Sequence, residues 1–390
     1  MSAVLLRPRL AASYTRASLL PALTALRAPL AWLIVVFHFS GLQSFKDAIG
    51  DAVYHAPLSN GPFAVDCFFI LSGFILFHVH SELGAQFDGA KIREFLTFRL
   101  ARIYPLHLFM LMLFVVCIEG LAYATDVKPN DATRFSMYGF LQHVFLVQGW
   151  GTSLLSWNYP SWSISSEWAA YLVAPGLFWM ALRLEGQKLV IAVFGTGLVL
   201  ALMLSNTPPS LSLSLPRVGL GFFLGVLVCR FRNQHEAELL AYRRACLTGL
   251  WIMFVMLILR NQGGGMAMAF TGLVLFHGIQ APSRTATPGW LARVLIYLGQ
   301  TSFAVYMGHA FIEAIWITLS HKMGLINHGG IVLQSLVLVV LIQGFAMFLH
   351  HGVEEPARKA LRHLAKAEKV APVDLSSAPE ISLDGPMPFA

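Results

Sequence analysis

The sequence predicts an all-α integral membrane protein with about ten transmembrane helices, both termini in the cytoplasm and a central intramembrane cavity. Three observations support this class. The 390 residues are 56% apolar, and only 12% are charged, against about 25% in an average soluble protein. Apolar windows long enough to cross a bilayer also recur along the whole chain.

The spans are predicted from these windows alone. The stretch 136–149 is apolar but short, so we interpret it as a re-entrant or interfacial segment. Residues 1–365 form the predicted membrane domain, and 366–390 form a predicted disordered cytoplasmic tail, because the apolar pattern gives way there to Pro, Ser and acidic residues. The ten windows are 22–42, 62–80, 97–118, 160–182, 188–204, 213–229, 245–260, 265–281, 294–317 and 331–350.

The distribution of positive charge predicts the orientation. With the N-terminus inside, the connections 83–96, 183–187, 230–244 and 282–293 are cytoplasmic, and all but six of the 27 Lys and Arg residues lie on that side. This is the bias of the positive-inside rule, which explains the basic composition without a nucleic-acid partner. The six exceptions are Lys46, Lys128, Arg134, Arg217, Arg260 and Lys322.

Ionisable side chains inside predicted spans are candidates for function, because an unpaired charge in a bilayer costs several kcal/mol. The candidates are His38, Asp66, Glu167, Arg217 and His309. His38 lies roughly 16 Å along its helix from Arg27, and four of the five, Arg217 excepted, are predicted at similar depth in the outer half of the membrane. A shared water-filled cavity would explain them. Structural pairing, for example of a carboxylate with Arg217, is the alternative.

The inner end of the third span has a different character. "TFRLARIYPLHLF" places Arg99 and Arg102 at the predicted helix start, where the helix dipole favours anions rather than cations. We interpret the pair as a receptor for phosphate or pyrophosphate, with membrane anchoring as the alternative. Tyr104 either stacks on an adenine or packs in the core.

The predicted outer entry of the fourth span is rich in aromatic residues. "SWNYPSWSISSEWAAYL" combines Trp and Tyr rings with Ser, Asn and Glu167. Tyr159, Trp162 and Ser163 are therefore candidates for a carbohydrate platform, in which rings stack on sugars and polar groups bind hydroxyls. An ordinary interfacial aromatic belt is the alternative.

Taken together, these motifs resemble acyltransferase family 3, the ten-helix bacterial membrane O-acyltransferases. The motifs occur in the order found in the family and cover nearly the whole span region. Cys67 is a mild departure, because many members have another apolar or small residue at that position. It rests on "LRAPLAWLIVVFHFSG", "FAVDCFFILSGFIL", "FRLARIYPLHLF", "SWSISSEWAAYLVAP", "TSFAVYMGHAFI" and "EEPARK".

The resemblance implies an enzyme of the bacterial inner membrane. It would move an acyl group, with acetyl expected, from cytoplasmic acyl-CoA to a hydroxyl of an exported polysaccharide or another cell-envelope glycan. Its partners would be acyl-CoA, a glycan or lipid-linked saccharide, membrane lipids and polysaccharide export machinery. Acyl-CoA is a co-substrate, and neither a metal nor a permanently bound cofactor is implied.

The resemblance also implies roles for individual residues. His38 is the implied catalytic residue, and Arg27, Arg99 and Arg102 are the implied donor-binding residues. His38 would act as a general base, assisted by Asp66 or Glu167, or would itself carry the acyl group; the residues leave both routes open. Arg217 and Tyr306 are candidate donors to the oxyanion, and His309 is a candidate cavity residue.

Two functions from other classes stay open at this point. A proton-coupled transporter or flippase of a lipid-linked glycan would use the same histidines and carboxylates as a proton relay. Inverted repeats or paired broken helices would favour that function, and the sequence displays neither. A membrane scaffold in an export complex would leave the buried charges without a purpose.

Overall fold

The structure is a computed structural model that describes residues 20–39, 60–125, 134–151, 156–206, 213–279, 289–322 and 331–367. These residues are mainly helical, and no strand occurs among them. The helices are α1 (Pro21–Ala25), α2 (Arg27–Phe39), α3 (Gly61–His80), α4 (Glu82–Ala85), α5 (Gly89–Thr125), α6 (Met137–Val144), α7 (Trp162–Leu182), α8 (Gly186–Asn206), α9 (Ser214–Leu259), α10 (Gly263–His277), α11 (Trp290–Lys322), α12 (Ile331–Leu349) and α13 (Glu355–Ala367).

All ten predicted windows fall on helices. The sixth and seventh share α9, and the others fall on α1 with α2, α3, α5, α7, α8, α10, α11 and α12. Seven helical stretches among the described residues are long and apolar enough to cross a membrane by length and composition. This is consistent with an integral membrane protein, while the count of ten spans, the orientation and the central cavity stay predictions. The ends of the first and eighth windows and the tail from 368 lie outside the described residues.

The predicted connection 83–96 is largely helical, which corrects the placement of two arginines. Helix α5 begins at Gly89, where Asp88 accepts a 2.9 Å hydrogen bond from the Ala90 amide. Arg99 and Arg102 therefore lie more than two turns inside the helix. Because the dipole acts mainly within the first turn, the predicted clash between it and these cations does not arise.

The predicted connection 230–244 is helical as well. Helix α9 continues through it with a kink at His235, where φ is −123°. The segment "RFRNQHEAELLAYRRA" is polar, but it is rich in residues of high helix propensity. The hydropathy windows therefore end where the apolar residues end, although the helix itself continues.

The centre of the fold is the crossing of α3 and α9. Gly73 of α3 faces the Phe222 carbonyl, and Gly225 of α9 faces the Ile70 carbonyl. A Cβ atom at either glycine would collide with these backbone atoms, so the two helices approach as closely as they do only because both positions lack a side chain. Helix α3 is buried along most of its length.

Helix α2 packs against α3 and α11 and connects two polar regions of the interior. Arg27 is its first residue and His38 is its last but one. The two side chains therefore belong to opposite ends of the same helix. Those two ends carry the arginine and histidine groups described below.

The short apolar segment 136–149 is a helix followed by turns. After α6, the Gly149 amide donates to the Ser165 hydroxyl at 3.1 Å, and the Ser165 hydroxyl donates to the Leu146 carbonyl at 2.7 Å. The segment thus packs against the beginning of α7. A re-entrant or interfacial position remains the prediction.

Candidate active site

Two histidines from distant parts of the chain meet in the interior. His38 Nδ1 lies 2.8 Å from His309 Nε2, and the two rings are stacked with their planes 5° apart. His309 is fully buried in α11. The sequence placed both imidazoles at similar depth, and the structure brings them into direct contact.

The hydrogen bonds around His309 define which nitrogens carry protons. His309 Nδ1 lies 2.7 Å from the Tyr306 carbonyl, which only accepts, so Nδ1 carries the hydrogen. His309 Nε2 then accepts from Nδ1 of His38, which leaves Nε2 of His38 as the unprotonated, basic nitrogen of a neutral ring. A neighbour that holds one nitrogen so that the other acts as base is the arrangement that general-base catalysis requires.

Tyr159 and Glu313 complete the surroundings of His38. The Tyr159 ring meets the His38 ring edge-on at a centroid distance of 5.1 Å, and the Tyr159 hydroxyl donates to Glu313 Oε2 at 3.2 Å. Burial, with the nearby Glu313 carboxylate, raises the pKa of the Tyr159 phenol, which therefore stays protonated as a donor. Glu313 is a buried carboxylate one turn beyond His309 on α11.

Tyr306 is engaged within the protein and is not a free oxyanion donor in this state. Its hydroxyl donates to the Pro160 carbonyl at 2.5 Å, and the Ser163 hydroxyl lies 2.7 Å from the Tyr306 hydroxyl oxygen. These bonds tie α11 to the beginning of α7. The Asn158 amide adds a further tie by donating to the Met307 carbonyl at 3.1 Å.

Asp66 and Arg217 form a buried ion pair with each other. Arg217 donates through one terminal nitrogen to Asp66 Oδ2 at 2.6 Å and through Nε to Oδ1 at 3.3 Å. Both side chains are almost completely buried. The pairing that the sequence left as an alternative for Asp66 is therefore present, and Arg217 is neutralised rather than free to bind an oxyanion.

Glu167 makes its described hydrogen bonds with residues other than the two histidines. It accepts hydrogen bonds from Ser72, at 3.2 Å, and from the hydroxyl of Tyr171. Its charge acts on Arg27 and Arg99. Within the described part of the chain, neither Glu167 nor Asp66 hydrogen bonds to His38, so the expected direct assistance by these carboxylates has no contact to support it.

The three predicted donor-binding arginines converge, and a fourth joins them. The charges of Arg27, Arg99, Arg102 and Arg358 act on one another, although they come from α2, α5 and α13. We call these four residues the arginine group. The buried Nε atoms of Arg27, Arg99 and Arg358 have no hydrogen-bond partner among the described residues.

One member of the arginine group is held by an acid. Arg102 forms an ion pair with the buried Glu354 of the π-helical turn His350–Glu354, and Glu354 also contacts His350 at 2.9 Å. The motif "EEPARK" therefore supplies both a carboxylate that orients Arg102 and the cation Arg358. The group keeps a local excess of positive charge, which favours binding of a polyanion.

Several aromatic residues near the predicted sites make contacts within the protein. The Tyr104 hydroxyl donates to the Val144 carbonyl of α6 at 3.0 Å, which favours packing over adenine stacking. Trp162 is half-buried against the core, and Trp157 is buried at φ 45° with its ring against Phe135 and Phe140. Part of the predicted aromatic platform is therefore structural.

One cluster has the composition of a metal site. Ligand atoms of His350, His351 and Glu355 lie within 4.8 Å of one another. However, His350 Nδ1 is bonded to Glu354, and the charges of Arg102 and Arg358 act on His350. Nearby positive charge opposes a bound cation, so these residues do not fit a metal well.

Sequence analysis missed Glu313 and Arg358. Glu313 lies four residues after His309, a spacing that places both on one helix face, and an acid inside a predicted span was the available signal. Arg358 lies in a polar helix beyond the last span. Nothing in the sequence alone relates Arg358 to α5.

The helices are consistent with an integral membrane protein, and its interior holds a partly buried histidine pair and a separate arginine group. Residues 20–350 match the model of acyltransferase family 3, described as an acyltransferase domain. The chain therefore belongs to acyltransferase family 3, as its motifs predicted.

One curated relative is similar over part of its length. Acyltransferase MdmB of Streptomyces mycarofaciens is 33% identical over 174 residues, which are 44% of this chain and 42% of the relative. The match thus spans less than half of the relative's length. No solved structure matches the chain.

Proposed function

We propose that this protein is a bacterial inner-membrane O-acyltransferase. It would transfer an acyl group, with acetyl expected, from cytoplasmic acyl-CoA to a hydroxyl of an exported polysaccharide or another cell-envelope glycan. Membership of the family supports acyl transfer. The observation that carries the catalytic part is the His38–His309 hydrogen bond, because it leaves His38 Nε2 as a base.

The arginine group is the proposed receptor for the donor. Coenzyme A carries a 3′-phosphate and a pyrophosphate, and guanidinium groups bind such anions through paired hydrogen bonds. The unpartnered Nε atoms of Arg27, Arg99 and Arg358 provide donors for that purpose. Helix α2 then leads from the arginine group toward His38, so the pantetheine arm would extend along it.

The proposed reaction is general-base acyl transfer. His38 Nε2 takes the proton of the acceptor hydroxyl as the hydroxyl oxygen bonds to the thioester carbonyl carbon. The carbon–sulfur bond then breaks, and the proton passes from His38 to the departing sulfur to give free coenzyme A. A route in which His38 is itself acylated first uses the same nitrogen as nucleophile.

The acceptor is proposed to reach His38 from the side opposite the donor. A sugar hydroxyl on a lipid-linked or nascent glycan fits the half-buried ring of Tyr159, which meets the ring of His38. Membrane lipids and polysaccharide export machinery are the other proposed partners.

The test is transfer of labelled acetyl from acetyl-CoA to glycan in membranes that contain the protein. We expect His38→Ala to leave an inserted protein with no transfer, and mass spectrometry of cell-envelope glycans to show the loss of the acyl increment. Full acylation by His38→Ala would refute the catalytic assignment. Movement of a lipid-linked glycan without acylation would favour a transporter instead.

A further inference from the structure

Glu313 is a buried carboxylate that the roles assigned above leave unexplained. It lies on the same face of α11 as His309, and its Oε2 accepts from the Tyr159 hydroxyl. Its other oxygen makes no hydrogen bond among the described residues. Burying an acid whose described partner is a single neutral hydroxyl costs free energy, so its presence in the interior calls for a functional explanation.

The proposed reaction requires a negative charge near His38, and Glu313 can provide it. When His38 takes a proton, the ring becomes a partly buried cation, which a nearby acid would stabilise. His309 cannot supply that charge, because its Nδ1–H is held by the Tyr306 carbonyl and its Nε2 only accepts from His38. The counter-charge of protonated His38 must therefore come from a residue outside the histidine pair.

The other candidate acids are already engaged by partners other than His38. Asp66 is paired with Arg217, and Glu167 is bonded to Ser72 and Tyr171. Arg134 lies over the Tyr159 ring, 5.6 Å from its centre, and adds positive charge to the same surroundings. Glu313 is the acid that the described contacts connect to His38, through the Tyr159 ring.

We propose that Glu313 is the acidic partner of His38. It orients the imidazole through the Tyr159 phenol and offsets the positive charge that His38 acquires in the transition state. This inference rests on the proposed function, in which His38 is a base. Glu313 is accordingly a positioning residue that acts through Tyr159, and it takes the part that the sequence assigned to Asp66 or Glu167.

The test compares Glu313→Gln with Glu119→Gln, a matched change at an exposed site on α5. The full-length proteins are compared in membranes for kcat and for the KM of acetyl-CoA and of the glycan. We expect Glu313→Gln to lower kcat by about 10- to 100-fold, with both KM values within about twofold. Glu119→Gln should behave as the wild type.

Tyr159→Phe separates orientation from simple packing, because it keeps the ring and removes only the bond to Glu313. We expect kcat to fall, and the double variant Glu313→Gln/Tyr159→Phe to lose less than the product of the two single losses. If Glu313→Gln does not insert, Tyr159→Phe decides alone: an unchanged kcat overturns the proposal.

Further outcomes of these measurements would overturn either the role of Glu313 or the proposed function. An unchanged kcat in Glu313→Gln overturns the inference, as does a raised glycan KM with unchanged kcat, which would make Glu313 an acceptor-binding residue. The proposed function fails separately, if His38→Ala still transfers acetyl. An inactive His38→Ala beside a fully active Glu313→Gln would refute only the role of Glu313.

Discussion

The two ends of helix α2 differ in how completely the protein satisfies its own polar groups. At the Arg27 end, four guanidinium groups gather, and three of their Nε atoms are buried with no hydrogen-bond partner in the part of the chain that the structure describes. At the His38 end, His309, Tyr306 and Tyr159 all have hydrogen-bond partners within the chain. The Arg27 end has hydrogen-bond donors without described partners, and the His38 end is a connected hydrogen-bonded network.

This difference separates binding from chemistry. Donors without partners and an excess of positive charge suit an anionic ligand that arrives from outside the fold. A network that is already satisfied suits a group whose orientation must be kept before the substrate binds. We therefore expect changes at the Arg27 end to act on the KM of the donor and changes at the His38 end to act on kcat.

Among the changes that compare the two ends, the larger effect on transfer should come from His309→Ala at the His38 end. Without His309 Nε2 as acceptor, the His38 ring is free to choose the wrong tautomer and orientation, which we expect to lower kcat by about 100- to 1,000-fold. The donor KM should stay within about twofold. Transfer of labelled acetyl measures both constants. A loss confined to the donor KM would show that the two ends are not functionally separate.

The next prediction concerns the Asp66–Arg217 ion pair, which is part of neither the arginine group nor the described contacts of His38. Asp66→Asn leaves Arg217 as a buried unpaired cation, so we expect a loss of about 3–5 kcal/mol in the free energy of unfolding. Replacing both residues with apolar side chains of similar volume should restore much of that stability. Thermal unfolding in detergent measures the change. A normal melting temperature together with inactive protein would instead assign Asp66 to catalysis.

The smallest effect should come from single changes in the arginine group. We expect Arg99→Gln and Arg358→Gln each to raise the KM of acetyl-CoA by about 10-fold, since a charge-assisted bond contributes about 1.5–3 kcal/mol, with kcat little changed. An acetyl thioester of pantetheine, which lacks the phosphates, serves as the control donor. Equal losses with both donors would contradict a phosphate receptor.

The site was predicted unevenly from sequence. Arg27, Arg99 and Arg102 were expected together because motifs of the family carry them, and they do converge. His38 and His309 were expected at one depth, but their direct bond was not. Asp66 and Glu167 were detected as candidates, but their hydrogen-bond partners stayed open, because depth along a helix says nothing about the direction in which a side chain points.

The sequence by itself determined where the apolar helices lie and which family the chain resembles, because hydropathy and short motifs are local properties of the chain. The tertiary structure decided which polar groups meet. Glu313 reaches Tyr159, and Arg358 joins residues of α2 and α5, across more than 150 intervening positions in each case. Such contacts depend on helix rotation and on close crossings such as that of Gly73 and Gly225, which no local pattern contains.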